Sequence, residues 1–233
     1  MHGSGAMALR TFIIIAALSS LLITGTAAGA GAPTTTLQAT FAQANRIIAD
    51  PTLEDRPLER LVAIRALFSK VFDFRGASED VLGPEWKART PVEQREFTSI
   101  FSGFVQRSFV YWLAAVAEID ANGITVSYLS ESVERDRAGV RTTIVGRGGR
   151  QIRLDHWMVY QGNRWLVRDI TIDGISLVTN YRAQFDRVIK ASSYRDLVVR
   201  MQGRVGAEMP RPASGGEFLG AEAKHPLFLY EMR

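Results

Sequence analysis

One pair of neighbouring residues combines side chains that can move a proton, Asp155-His156. An imidazole with a carboxylate in reach can serve as general acid and base near neutral pH. The spacing works against that use. Residues 150–161 read as a β-strand, and adjacent strand residues point to opposite faces, so both side chains enter one pocket only across a bulge. The other two histidines, His2 and His225, lie near the ends of the sequence, which leaves His156 alone. A lone strand histidine is more often a satisfied core residue than a catalyst. HExxH, Walker and GxSxG motifs do not occur, and there is no cysteine to join a metal set. The expectation is a protein with no catalytic residues, no metal and no cofactor. An enzyme acting on a small hydrophobic molecule through His156 is the alternative.

Tyr181-Arg182 is the second candidate. The planar guanidinium of Arg182 suits a phosphate or an acidic partner surface. The structural alternative, which we favour, pairs it with Asp169 or with Asp186, four residues along a helix. Tyr181 is expected to pack inward, its hydroxyl reaching a group on the sheet.

These residues need elements to hold them. Thr36 can cap a helix over about 37–49, with Leu37, Phe41, Ala44 and Ile48 on one face, stopped by Pro51. Pro57 suits a first helical position and opens a helix to about 72, with Leu58, Leu61, Ile64, Leu67, Phe68 and Val71 inward. Residues 73–89 read as a short helix and a turn closed by Gly83-Pro84. Thr90 and Glu93 have the spacing of a capping box at the head of the longest helix, to about 118. Its wide face carries Phe97, Phe101, Phe104, Val105, Phe109, Trp112 and Leu113.

From Gly123 the period changes from that of a helix to that of strands. Residues 124–134, 139–147, 150–161 and 164–173 alternate or carry β-formers, separated by Arg137-Ala138-Gly139, Gly148-Gly149 and Gly162-Asn163. That is the pattern of an antiparallel meander. In the third strand Ile152, Leu154, His156, Met158 and Tyr160 share one face. In the fourth, Trp165 and Val167 have one parity and Ile170 and Ile172 the other, so a β-bulge near Arg168-Asp169 is predicted. Past Asp173-Gly174, Leu177, Tyr181, Phe185 and Ile189 recur every four residues, and a last helix follows over about 192–204. Helices, then a four-stranded antiparallel sheet, then helices make an α+β domain.

The ends read differently. Arg10, the run FIIIAALSSLLIT and the small residues to Ala30 form the three regions of a secretory signal peptide, 1–30. The expected domain spans 31–205, and 206–233 is a Gly/Pro/Ala-rich tail. The whole chain carries +4. Without Arg10 there remain 27 basic and 24 acidic residues, or +3. That mild excess suits anionic lipid surfaces or acidic proteins, and no charged run suggests a nucleic-acid arm.

Several blocks, read in order, resemble the MlaC family, also called the toluene-tolerance family. They are Phe72-Asp73-Phe74, Leu82-Gly83, Trp86, and Thr90-Pro91 with Gln94, Phe97 and Phe101. Gly162, Trp165, Asp169-Ile170, Asp173-Gly174-Ile175-Ser176-Leu177 and Asn180-Tyr181-Arg182-Ala183-Gln184-Phe185 follow. The resemblance covers roughly residues 35–205. It implies a nuclear-transport-factor-like sheet-and-helix fold, single-domain, with an apolar pocket for lipid tails. It implies a periplasmic carrier of phospholipid that works between an inner-membrane ABC transporter complex and an outer-membrane lipoprotein complex, without chemistry. His156 departs from the family, which usually has Tyr there. Ala191-Ser192-Ser193-Tyr194 resembles the hopanoid-associated branch, which implies a hopanoid-like lipid as the other ligand. With the resemblance, the expected lipid-lining residues are Phe97, Phe101, Phe104 and Trp112 on the long helix, and Ile144, Leu154, Met158, Val167 and Ile172 on the sheet. Leu177, Tyr181 and Phe185 of the following helix complete them.

Overall fold

The structure, a computed structural model, describes residues 32–116, 123–145, 149 and 151–206, with side chains left aside at 110–116 and 204–206. The expected signal peptide and nearly all of the expected tail lie outside the described residues. Among the described residues, no helix is long and apolar enough to cross a membrane.

Helix α1 spans Pro33–Ile48 and α2 spans Pro57–Val71, joined by a 3-10 turn at Pro51–Leu53. Next come α3 (Phe74–Leu82), α4 (Pro84–Lys87) and α5 (Pro91–Val116). Helix α1 begins at Pro33, three residues before the expected cap at Thr36, because Pro33 takes the first turn, where its missing N–H costs nothing. The capping box forms as read: the Glu93 N–H donates to Thr90 Oγ1 at 3.2 Å, and the Thr90 N–H donates to Glu93 Oε2 at 2.7 Å.

The strands are β1 (Thr125–Glu134), β2 (Arg137–Val145), β3 (Gln151–Gln161), β4 (Arg164–Ile172) and β5 (Ile175–Ser176), in that order across one antiparallel sheet. The turn before β2 is at Arg135-Asp136, with Arg135 at φ 55°, so Arg137-Ala138-Gly139 already belongs to the strand. Gly162 and Asn163 both have positive φ, the two-residue turn that matches strand twist. So do Asp173 and Gly174. They form a hairpin rather than a strand-to-helix corner, and Ile175 pairs back onto Ile172. This gives the sheet a fifth strand, two residues long and too short to carry a period. Ser176 then caps α6 (Leu177–Ala191) by accepting from the Thr179 N–H, and α7 (Tyr194–Gly206) follows.

One face of the sheet carries the core: Val140, Thr142 and Ile144 on β2, Ile152, Leu154, His156 and Met158 on β3. On the other face Asp155 pairs with Arg141 at 3.2 Å and Trp157 is exposed. Strand β4 bulges where expected. Trp157 faces Asp169 and Met158 faces Val167, so Arg168 has no partner opposite it. Val167 and Ile170, three residues apart, are thereby both buried.

The helices are tied to the sheet through backbone and side-chain bonds. Phe72 makes a parallel bridge with Val167, and the Asp73 N–H donates to the Val167 carbonyl at 2.8 Å. The Asp73 carboxylate caps α3 by accepting from the Gly76 N–H. Arg168, turned sideways by the bulge, donates to Asp73 at 2.6 Å and to Asp80 at 2.7 Å. Asn45 of α1 exchanges two hydrogen bonds with the Ile124 backbone at the entry to β1. Helix α2 departs from expectation in its first half. Ile64, Leu67, Phe68 and Val71 turn inward, whereas Leu58 is 75% exposed and Leu61 36%. Only the C-terminal half of α2 lies over the sheet, reaching it through the bridge at Phe72, so the apolar stripe outruns the surface that can cover it.

Candidate functional site

A cavity of about 70 Å³ lies between the α1–α2 pair and the sheet. Helix α1 contributes Leu37, Thr40, Phe41 and Ala44, and α2 contributes Ile64, Leu67, Phe68 and Val71. Both sets follow helical spacing, so each helix turns a single stripe toward the space. Phe109 of α5 and Ile124 close one side, and His156, Val167 and Ile170 come from the sheet. The bulge at Arg168 is what lets Val167 and Ile170 share this wall. Phe68 anchors the corner by stacking on Phe72 and Phe109, with ring centroids 5.1 and 4.8 Å away.

Thr40 and His156 are the polar side chains on the wall. The Thr40 hydroxyl donates to the Thr36 carbonyl one turn back. His156 is 3% exposed, its Nε2 lies 3.1 Å from Thr142 Oγ1, and its Nδ1 has no partner among the described residues. Burial pushes its pKa down to about 4, so the ring is neutral at physiological pH. Asp155 sits on the opposite sheet face, as the strand alternation requires, and among the described residues no carboxylate lines the cavity. Asp155 and His156 are therefore not brought together.

Of the expected lining residues, Val167 is on the cavity wall. The aromatic ones on the long helix pack against α6 instead. Phe97 and Phe101 lie parallel at 5.9 Å, Phe185 meets both edge-on at 6.0 Å, and Tyr181 stands edge-on to Phe101 and Phe104 at 5.8 and 5.4 Å. Leu177 is buried at the start of the same helix. Ile144, Leu154, Met158 and Ile172 belong to the buried sheet face but not to the wall. Trp112 is in the part of α5 whose side chains lie outside the described residues. The wall residues Phe41, Ile64, Phe68, Phe109 and Ile170 were legible as inward faces, but nothing in their spacing separates a wall from a filled core.

The Tyr181 hydroxyl bonds Ser108 of α5 rather than a sheet group, and burial raises its pKa to about 12. Arg182 is exposed and pairs with neither Asp169 nor Asp186 among the described ion pairs; its guanidinium lies against Gly83. Asp169 is already committed. It accepts from the Ile170 and Val178 N–H groups and from the Ser176 hydroxyl, fixing the head of α6 to the sheet. Burial nevertheless keeps its pKa above the ordinary carboxylate value.

A family model described as "MlaC protein" matches residues 38–203. No curated protein matches the chain. Among solved structures, the phospholipid-binding protein from Ralstonia solanacearum, in complex with a phospholipid at 1.53 Å, aligns with a TM-score of 0.64. It is 24% identical, and the alignment covers 75% of this chain and 97% of that one. At that identity the likeness is one of fold: the same antiparallel sheet packed against helices.

Proposed function

Because the chain belongs to the MlaC family, we propose that it is a lipid carrier that takes up phospholipid, or a hopanoid-like lipid, with the tails between the α1–α2 pair and the sheet. The observation that carries this reading is the apolar cavity at that place. The phospholipid held by the Ralstonia solanacearum protein of the same fold supports it. Residues 1–30 would direct export, and the carrier would work in the periplasm between outer-membrane and inner-membrane complexes. No reaction is needed for that task.

The energetics suit exchange. Moving a tail from water to hydrocarbon gains roughly 0.8 kcal/mol per CH₂. Two tails of ordinary length gain on the order of 25 kcal/mol. A carrier has only to match that value, because a bilayer and an apolar pocket are similar solvents for the tail. Ligand pockets for drug-sized molecules occupy about 300–1,000 Å³, whereas this cavity measures about 70 Å³. Loading therefore requires the elements around the cavity to move apart.

The test is purification without detergent, followed by lipid extraction and mass spectrometry. Lipid should be present in near-equimolar amount, and loaded protein should deliver it to vesicles bearing the partner transporter. Protein that is lipid-free and stays so after incubation with phospholipid vesicles would rule the reading out.

A further inference from the structure

The net charge of the chain is concentrated in one place. Helices α6 and α7, residues 177–206, contain six basic residues, Arg182, Arg187, Lys190, Arg195, Arg200 and Arg204, and two acidic ones, Asp186 and Asp196. Their excess of four equals the +4 of the whole sequence, so everything else holds 22 basic and 22 acidic residues and is neutral. Helical spacing decides where these charges point. Tyr181, Phe185 and Val188 of α6 are buried, as are Leu197 and Met201 of α7. The two helices pack on each other, and both reach α5, where Phe185 and Tyr194 meet Phe97. Arg182, Arg187 and Lys190 lie on the side of α6 turned from that core, and Arg195 on the corresponding side of α7. All four are exposed.

None of these four forms an ion pair among the described residues. The carboxylates on the same helices do not cancel them. Asp186 is half-buried, and Asp196 feels both Arg195 and Arg200, so one negative charge is set against two positive ones. The face therefore has charge, but it has no anchor. Stable protein interfaces centre on large side chains seated in a partner's pocket. Here Tyr181, Phe185 and Tyr194 pack into the core, and Val199 is the large hydrophobic residue left exposed on these helices among the described residues. A layer of anionic headgroups makes no such demand. It attracts basic residues one by one within a Debye length, and a guanidinium fork suits phosphate.

We propose that the exposed face of α6 and α7 docks the protein on an anionic bilayer surface, with Arg182, Arg187, Lys190 and Arg195 against the lipid phosphates. The contact is electrostatic and peripheral, because the apolar sides of both helices are already spent on the core. It goes beyond the carrier reading and does not depend on where a lipid is held, since none of the four cations lies on the cavity wall.

The experiment is cosedimentation of the full chain with phosphatidylglycerol–phosphatidylcholine vesicles and with vesicles of phosphatidylcholine alone, at low and at high salt. The wild type should bind the anionic vesicles, come off them as salt rises, and leave the neutral ones unbound. Each cation removed should weaken binding roughly fivefold, so Arg182→Gln/Arg187→Gln/Lys190→Gln should bind about a hundredfold more weakly. A second triple variant, Arg46→Gln/Lys70→Gln/Arg137→Gln, removes the same charge from exposed positions on α1, α2 and β2. It should lose less than about threefold. Thermal unfolding checks that the variants are folded, and Arg182→Gln/Arg195→Gln, with one change on each helix, replaces the first triple if that one is not. A wild type that binds neither vesicle, or binds both equally, overturns the proposal, and so does an equal loss in the two triple variants. The lipid content of the purified protein is read separately. Lipid-free protein that still binds anionic vesicles would end the carrier reading and leave this one standing.

Discussion

The guanidinium of Arg168 occupies the place where a Cβ on residue 76 would be. A methyl group built on Gly76 would fall 1.6 Å from Arg168 Nη1 and 2.4 Å from Asp73 Oδ2. In an ordinary helix interior, exchanging Gly for Ala stabilises by roughly 1 kcal/mol. Here the sign reverses, because the methyl displaces Arg168 from a buried carboxylate. Gly76→Ala should lower stability by about 2–3 kcal/mol in chemical denaturation. An unchanged or higher midpoint would show that Arg168 can move aside at no cost.

Removing the arginine probes the same contact from the other side. Arg168→Met leaves Asp73, 7% exposed, without its cation. Loss of one partner of a buried pair costs about 3–5 kcal/mol, and the low end applies because Asp73 keeps the Gly76 N–H. The double variant Arg168→Met/Asp73→Asn should recover part of that loss, since Asn still accepts from the N–H. A double variant as unstable as the sum of the two singles would mean that the residues act independently.

His156 gives the fold a pH dependence whose sign is fixed. Its pKa is about 4 in the folded protein, against an ordinary 6.5. Between those values the unfolded chain binds a proton that the folded one refuses. Stability is therefore complete above about pH 6.5 and declines as pH falls toward 4, by an amount on the order of 3 kcal/mol. Asp169 acts with the opposite sign, because burial raises its folded pKa. The measurement is the difference between wild type and His156→Phe across this window, which cancels Asp169. Parallel stability curves would mean that His156 is protonated in the folded state.

Filling the cavity should separate lipid retention from stability. Ala44 is buried on the wall, and Ala44→Leu places new methyl groups in open space. It should lower co-purifying lipid several-fold while leaving the unfolding midpoint level or raised. Phe101→Leu should do the reverse. It costs roughly 1–3 kcal/mol by loosening the ring cluster with Phe97, Tyr181 and Phe185, and leaves lipid content unchanged. Lipid loss in Phe101→Leu and none in Ala44→Leu would move the binding site to the α5–α6 cluster.

Features set by near neighbours were readable from the sequence. The Thr90–Glu93 box, the alternation that separates Asp155 from His156, and the bulge at Arg168 each depend on a few adjacent residues. The cavity is different. Phe68 and Phe101 are both apolar residues on an inward helical face, and only the packing of other elements leaves a gap beside one and rings around the other. The same limit explains Leu58 and Leu61. Their spacing continues the buried stripe of α2, but the sheet does not extend beneath them. Arg182 shows it for charge: Asp169 is suitably acidic, yet two backbone N–H groups take one of its oxygens and the Ser176 hydroxyl takes the other.

The bridge between Phe72 and Val167 has a mechanical consequence. It clamps the C-terminal end of α2 to the same β4 residue that lines the cavity, and Asp73 and Arg168 reinforce the clamp on either side. At its other end, around Pro57, the helix has no such fastening to the sheet among the described residues. Any swing of α2 away from the sheet then pivots at residues 72–73, while Asn45 holds the neighbouring end of α1 to Ile124. The exposed Leu58 and Leu61 lie toward the end of α2 far from that pivot, so their apolar surface would travel furthest.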